Sequence, residues 1–229
     1  MTSAQDPATI VVDWSEPHGI SWTPALANPM ELHAHALRSG DDVWLIDPFD
    51  GANLDAELAK LGGTVRQVVV LLDRHQRDAV RIAERHGATL HVVAGNIRQS
   101  IPDECERFDD VLDGSPFTVV PVLDKGKLWV ERALWWPEHE MLVVAEAVGS
   151  SDGFRMGTDT AIAVHPLLRL TPPRAPFAGA RPKTILFGHG PAVTVDAAQA
   201  LATALAESRT NAPNFVVGAA RSVFDGLRT

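Results

Sequence analysis

The chain has 229 residues, 20 basic and 29 acidic, for a formal charge of −9, with 45% apolar and 21% charged residues. That balance excludes a disordered chain, and a chain of this length can bury a core without disulfide or metal staples. The single cysteine excludes an internal disulfide framework and any multi-cysteine zinc site, and the acidic balance argues against nucleic acid or an anionic membrane as the main partner.

Met1 to Pro7 is polar and acidic, with no basic and apolar leader, and no apolar run approaches the ~20 residues of a membrane span, so cytoplasmic residence is expected. Thr9-Ile10-Val11-Val12 is a short β-branched strand signal. Glu31 to Leu37 alternates, and Gly40-Asp41 turns it into Val43-Trp44-Leu45-Ile46, which predicts a hairpin. Asn53 can cap a helix over 54–61, with Leu54, Leu58 and Leu61 on one face and Gly62-Gly63 as the stop. Val68 to Leu72 reads as a buried strand, Asp78 to His86 as a helix stopped by Gly87, and Leu90 to Val93 as the next strand. That strand–helix–strand unit predicts a parallel pair.

Further strands are expected at Phe117 to Leu123, Lys127 to Trp136 and Met141 to Ala145, the last two joined by a turn at Pro137 to Glu140. Residues 149–160 read as a loop, and the five prolines of Pro166 to Pro182 leave room for little more than a turn of helix. Thr184 to Phe187 is a last strand. Thr194 caps a helix over Val195 to Ser208, and a weaker helix is expected near Val216 to Leu227. No linker divides the chain, so 1–229 is read as one domain.

Nine histidines and 29 carboxylates are available as metal ligands or acid–base groups. His33 and His35 share one strand face and form a metal-binding pair or a polar strand face, the second being commoner. Trp129, Trp135 and Trp136 lie on one hairpin and Trp44 on an earlier strand; they pack a core or serve a dimer surface. Cys105 has no neighbour that depresses a thiol pKa, and His91 and His165 carry no signal.

Three stretches in order resemble the metallo-β-lactamase superfamily. Val43-Trp44-Leu45-Ile46-Asp47 is similar to its "LID" strand, Val69 to Asp78 to its THxHxDH strand and loop, and Ile185-Leu186-Phe187-Gly188-His189-Gly190-Pro191 to its late GHG element. The resemblance spans about residues 31–209. It implies a four-layer αβ/βα sandwich, two mixed sheets flanked by helices, with the site at one edge of the sheets. It also implies a pair of metal ions on histidines and carboxylates, which polarise the scissile group and activate water.

Aligned without a gap, the signature histidines fall on Asp73, His75 and Asp78, and the signature aspartate on Arg77. A one-residue shift instead puts Asp78 on the aspartate and Ala79 on a histidine. No histidine stands near Asp124-Lys125-Gly126, where the family has one, while the bridging aspartate corresponds to Glu146 and the last histidine to His189. Asp47 is structural by resemblance. An arginine cannot ligate a metal. Two readings follow. In one, Asp73, Arg74, Arg77, Asp78 and Glu146 form an ion-pair network in place of the dinuclear centre, and the protein is a non-catalytic or metal-free descendant that binds a small anionic ligand. In the other, one divalent metal (zinc, iron or manganese) sits on His75, Asp78, Glu146 and His189. The protein is then a mononuclear hydrolase of a thioester, lactone or phosphoester, with Asp73 as general base or orienter and Arg77 stabilising the oxyanion. A third reading makes it an assembly subunit, a homodimer through the tryptophan-rich hairpin.

Overall fold

The computed structural model describes residues 8–26, 28, 30–95 and 101–213. The helix expected near 216–227 lies outside the described residues. The first half builds a seven-stranded sheet in sequential order: β1 (Ile10–Glu16), β2 (Gly19–Pro24), β3 (Ala34–Ser39), β4 (Asp42–Ile46), β5 (Thr64–Val70), β6 (Thr89–Val93) and β7 (Glu106–Phe108). β1 to β4 pair antiparallel, and β4 to β7 pair parallel. The β3–β4 hairpin and the β5–β6 parallel pair are those expected from the sequence. α1 (Leu54–Leu61) connects β4 to β5, and α2 (Ala79–His86) connects β5 to β6.

The second sheet holds β8 (Thr118–Asp124), β9 (Val130–Trp136), β10 (Met141–Val144) and, after two long excursions, β13 (Thr184–Phe187). Its order is β13-β10-β9-β8, with β13 parallel to β10 and the rest antiparallel. The excursions carry β11 (Val148–Gly149), α3 (Asp152–Arg155) and β12 (Ala163–Val164), and β11 pairs with β12. α4 (Ala197–Glu207) follows β13.

Strand alternation divides the apolar residues into two layers. Val43, Leu45, Val68 and Val70 pack with Leu54, Leu58 and Leu61 of α1 and with Ala79, Ile82 and Ala83 of α2. Trp44, Ile46, Val69 and Leu71 face the second sheet, in one cluster with Val119, Leu134, Val143 and the buried side of α4. The result is helix, sheet, sheet, helix. Trp44, Trp129 and Trp136 are buried in the inter-sheet layer, as core packing requires. Among the described residues, no helix is long and apolar enough to cross a membrane.

Two caps differ from the sequence expectation. Asn53 stands at the N-cap of α1, but its amide bonds the backbone N and O of Ile10 and ties β1 to the body. α4 begins at Ala197, after Asp196 in the left-handed region, two residues later than a Thr194 cap implies.

Candidate metal centre

The C-terminal ends of parallel strands share one edge, where sites gather in α/β folds. Here Asp47 follows β4, residues 71–78 follow β5, Glu146 follows β10 and His189 follows β13. Cross-sheet bonds hold these ends together: Arg132 N donates to Leu71 O at 2.9 Å, and Asp73 N to Val130 O at 3.1 Å. His189 is fixed by its neighbours. A Cβ on Gly188 would collide with Ala145 O and crowd the His75 ring, and one on Gly190, at φ +95°, would collide with Ser151 N. Only glycine lets this segment lie against the 145–151 loop.

His75, Glu146 and His189 are all buried, and one ligand atom from each lies within 4.8 Å of the others. Their hydrogen bonds fix which atoms those are. His75 Nδ1 donates to Asp47 Oδ2 at 2.8 Å, leaving the lone pair on Nε2, which is 3.8 Å from Glu146 Oε2. His189 Nδ1 donates to Met30 O at 2.8 Å, so its lone pair is also on Nε2. His189 Nε2 and Glu146 Oε2 are buried without a hydrogen-bond partner. Two imidazole lone pairs and a carboxylate oxygen therefore converge with no proton assigned between them. Buried acceptors left this way are costly, and a cation is the species that satisfies all three. The Asp47–His75 pair is the orienting arrangement that metal-bound imidazoles use. The donor set of two imidazoles and one carboxylate suits zinc or non-haem iron.

The other expected site residues are placed differently. Asp78, expected as a ligand, stands at the N-cap of α2 and turns outward: its Oδ2 accepts from Asp50 N at 2.9 Å and its Oδ1 from Arg81 at 3.0 Å. Arg77, expected at a substrate or at a carboxylate, is enclosed. Its Nη1 donates to His33 O at 2.5 Å and Asp47 O at 2.7 Å, and its Nη2 to Gly188 O at 3.1 Å. It joins three loops at the edge of the sheets through their backbone. Asp73 is fully buried, with Oδ2 accepting from Val130 N and Oδ1 from Arg74 Nε at 3.0 Å. Arg74 is the cation beside the site, with Nε 3.7 Å from Glu146 Oε2 and its guanidinium 4.2 Å above the Trp129 ring. His33 and His35 do not share a ligand space. His33 pairs with Asp13 and Glu31 O, and His35 with Ser21 Oγ and Phe187 O.

Two further residues border the triad. Glu131, fully buried in β9, accepts from Glu146 N and Ala147 N, each at 2.9 Å, and from Trp129 Nε1 at 2.8 Å. Burial pushes its carboxyl up to about 7 against the pull of those N–H donors. A lone carboxylate inside an apolar strand run was the signal for it. His165 lies 3.4 Å from Glu146 Oε1, and nothing in its sequence neighbourhood marks it.

Several histidines are held neutral. Burial, with help from His33 and Arg77, keeps His35 well below the usual imidazole value. Burial pushes His165 down to about 4, and burial with His75 pushes His189 down to about 3. Below pH 6.5 the unfolded chain takes up protons at these positions and the folded chain does not. The stability these histidines contribute to the metal-free protein is therefore full above pH 6.5 and falls as the pH drops toward 4, by about 2 kcal/mol each for His165 and His189 at pH 5, and Glu131, whose raised carboxyl contributes in the opposite sense, offsets about one of them. Urea midpoints at pH 7.5 and 5.0 measure this; an equal or higher midpoint at pH 5.0 contradicts it.

No protein-family model and no curated protein sequence matches the chain. Solved structures do. The metallo-β-lactamase DIM-1 covers 91% of this chain and 99% of its own, at 10% identity and TM-score 0.61. The chain has the metallo-β-lactamase fold. A DIM-1 crystal exposed to ceftazidime matches at TM-score 0.60 and 11% identity, over 91% of this chain and 99% of that one. VMB-1 matches at TM-score 0.63 and 11% identity, over 89% of this chain and 96% of that one. At such identities the likeness establishes the architecture, and the chemistry rests on this chain's own residues.

Proposed function

We propose that this metallo-β-lactamase-fold protein lacks a dinuclear centre, holds one divalent metal ion on His75, Glu146 and His189, and binds a small anionic molecule rather than hydrolysing it. The observation that carries the reading is the convergence of His75 Nε2, Glu146 Oε2 and His189 Nε2 within 4.8 Å, with no donor assigned among them. Among the described residues, a second ion lacks ligands. At the positions that the resemblance assigns to them, Arg77 is bound to three carbonyls, Asp78 is bonded to Asp50 N and Arg81, and Asp73 is paired with Arg74. The Arg74 guanidinium also stands against Glu146, where a fixed cation opposes another metal.

When bound, the ion supplies Lewis acidity to an oxygen ligand. The protein's own groups then decide what reaches it. The His75 and Glu146 side chains are only 6% and 9% exposed, so the triad is nearly closed to a bulky substrate. Arg74, at 24% exposed, is the cation that an approaching anion meets. That same placement supports a second reading, a mononuclear hydrolase in which Arg74 stabilises the developing oxyanion.

The test is metal content together with turnover. Protein purified without chelator carries about one equivalent of metal, and shows no metal-dependent cleavage of thioester, lactone or phosphoester substrates. Cleavage that disappears with EDTA and in His189→Ala establishes the hydrolase instead.

A further inference from the structure

Glu146 has two carboxylate oxygens, and only Oε2 faces the lone pairs of His75 and His189. Oε1 faces His165 Nε2 at 3.4 Å. The tautomer of that ring is set from its other side. Leu167 N donates to His165 Nδ1 at 3.2 Å, so the proton is on Nε2, on the side of the ring that faces Glu146, and that nitrogen offers no lone pair to a metal. The ring has little freedom. His165 N donates to Ala147 O at 3.0 Å, and the ring meets Trp129 and Phe154 edge to face at 4.9 and 5.1 Å. The nearest competitor for the carboxylate is Arg74, 3.7 Å from Oε2.

We propose that His165 is a positioning residue for Glu146: its Nε2–H engages Oε1 and keeps Oε2 turned to the metal position rather than to Arg74. The inference rests on the triad being a metal site. It extends beyond the ligands to a side chain that touches no metal, and outer partners of this kind change metal affinity 10- to 100-fold.

His165 has two separable jobs, because it also caps the 3-10 turn at Pro166–Leu168 through Nδ1. Asparagine places a polar atom near Nδ1, and glutamine places one near Nε2. His165→Asn therefore keeps the cap and loses the donor to Glu146, whereas His165→Gln keeps the donor and loses the cap. The probe is Co(II), read by chelator competition and by its visible d–d bands, with the melting temperature of the metal-free protein as the structural readout. His165→Asn is expected to melt with the wild type, bind Co(II) 10- to 100-fold more weakly and shift the bands. His165→Gln is expected to melt lower but keep wild-type affinity and band positions. Wild-type Co(II) affinity and bands in His165→Asn overturn the proposal and leave the metal site standing. Equal weakening in both variants, tracking their melting temperatures, reduces His165 to a structural residue and also overturns it. A wild-type protein that takes up no Co(II) removes the metal site and the proposal together.

Discussion

Replacing Arg77 by methionine is expected to destabilise the protein by about 2–3 kcal/mol, the order for losing hydrogen bonds from a charged group and leaving their acceptors unpaired. The residue is half-buried, and its guanidinium N–H groups satisfy three backbone carbonyls, on His33, Asp47 and Gly188. Those carbonyls belong to separate loops, so the variant both orphans buried acceptors and unties the loops from one another. Burial disfavours the charge, while Asp47 and Glu146 favour it, so truncation also leaves those carboxylates with less compensation. Arg77→Lys is expected to recover little, because a point ammonium cannot reproduce the planar fork. Urea unfolding at pH 7.5 measures both variants. A loss below about 1 kcal/mol in Arg77→Met contradicts the clamp and reopens a ligand-binding role for this guanidinium.

Zinc is expected to stabilise the folded protein strongly. An ion that binds the native state alone adds about 4 kcal/mol at a free concentration 1,000 times its dissociation constant. His189→Ala removes a ligand whose Nε2 has no other partner, along with one hydrogen bond from Nδ1 to Met30 O and a ring stacked on Phe154, so the metal-free variant melts somewhat lower. The variant should fold and lose the zinc increment. Glu146→Gln should lose most of it, because the carboxylate is the anionic member of the triad. Urea midpoints with zinc and with EDTA are the measurement. Identical midpoints for the wild type in both contradict a metal on these residues.

Much of the architecture was legible because β4 and β5 carry short, unbroken apolar runs that are buried on both faces. Trp44 and Ile46 belong to one layer, and Val43 and Leu45 to the other. β5 extends back to Thr64 through a polar stretch that has no apolar run, and the register shift opposite Val43 and Trp44 puts Val65 in the same layer as Val68 and Val70. β2 was missed: it is a six-residue strand ending in Pro24, with Ser21 buried against His35 rather than displaying a polar face. β7 was missed for the opposite reason, since Glu106-Arg107-Phe108 is mostly charged and gains its identity only by pairing with β6. At the site, His75, Glu146 and His189 came to notice through the resemblance of their strand ends to the family's motifs. Asp78 could not be placed that way, because spacing places a carboxylate in a loop and leaves open whether it turns inward or, as here, outward to Asp50 N and Arg81. Arg74 and Arg77 exchanged roles for the same reason. Two neighbours in one loop differ in depth, and Arg77 goes inward by adopting a left-handed backbone at φ +45°. His165 reaches Glu146 only through the β11–β12 pairing, which no local pattern announces.

The central claim is one metal ion at this edge, and anomalous scattering at the zinc edge from crystals grown with zinc tests it most directly. The account predicts a single peak bonded to His75 Nε2, Glu146 Oε2 and His189 Nε2 at about 2.0–2.2 Å, with Arg74 still paired to Asp73. Two peaks a few ångströms apart, or no peak with Glu146 closed onto Arg74, would contradict it.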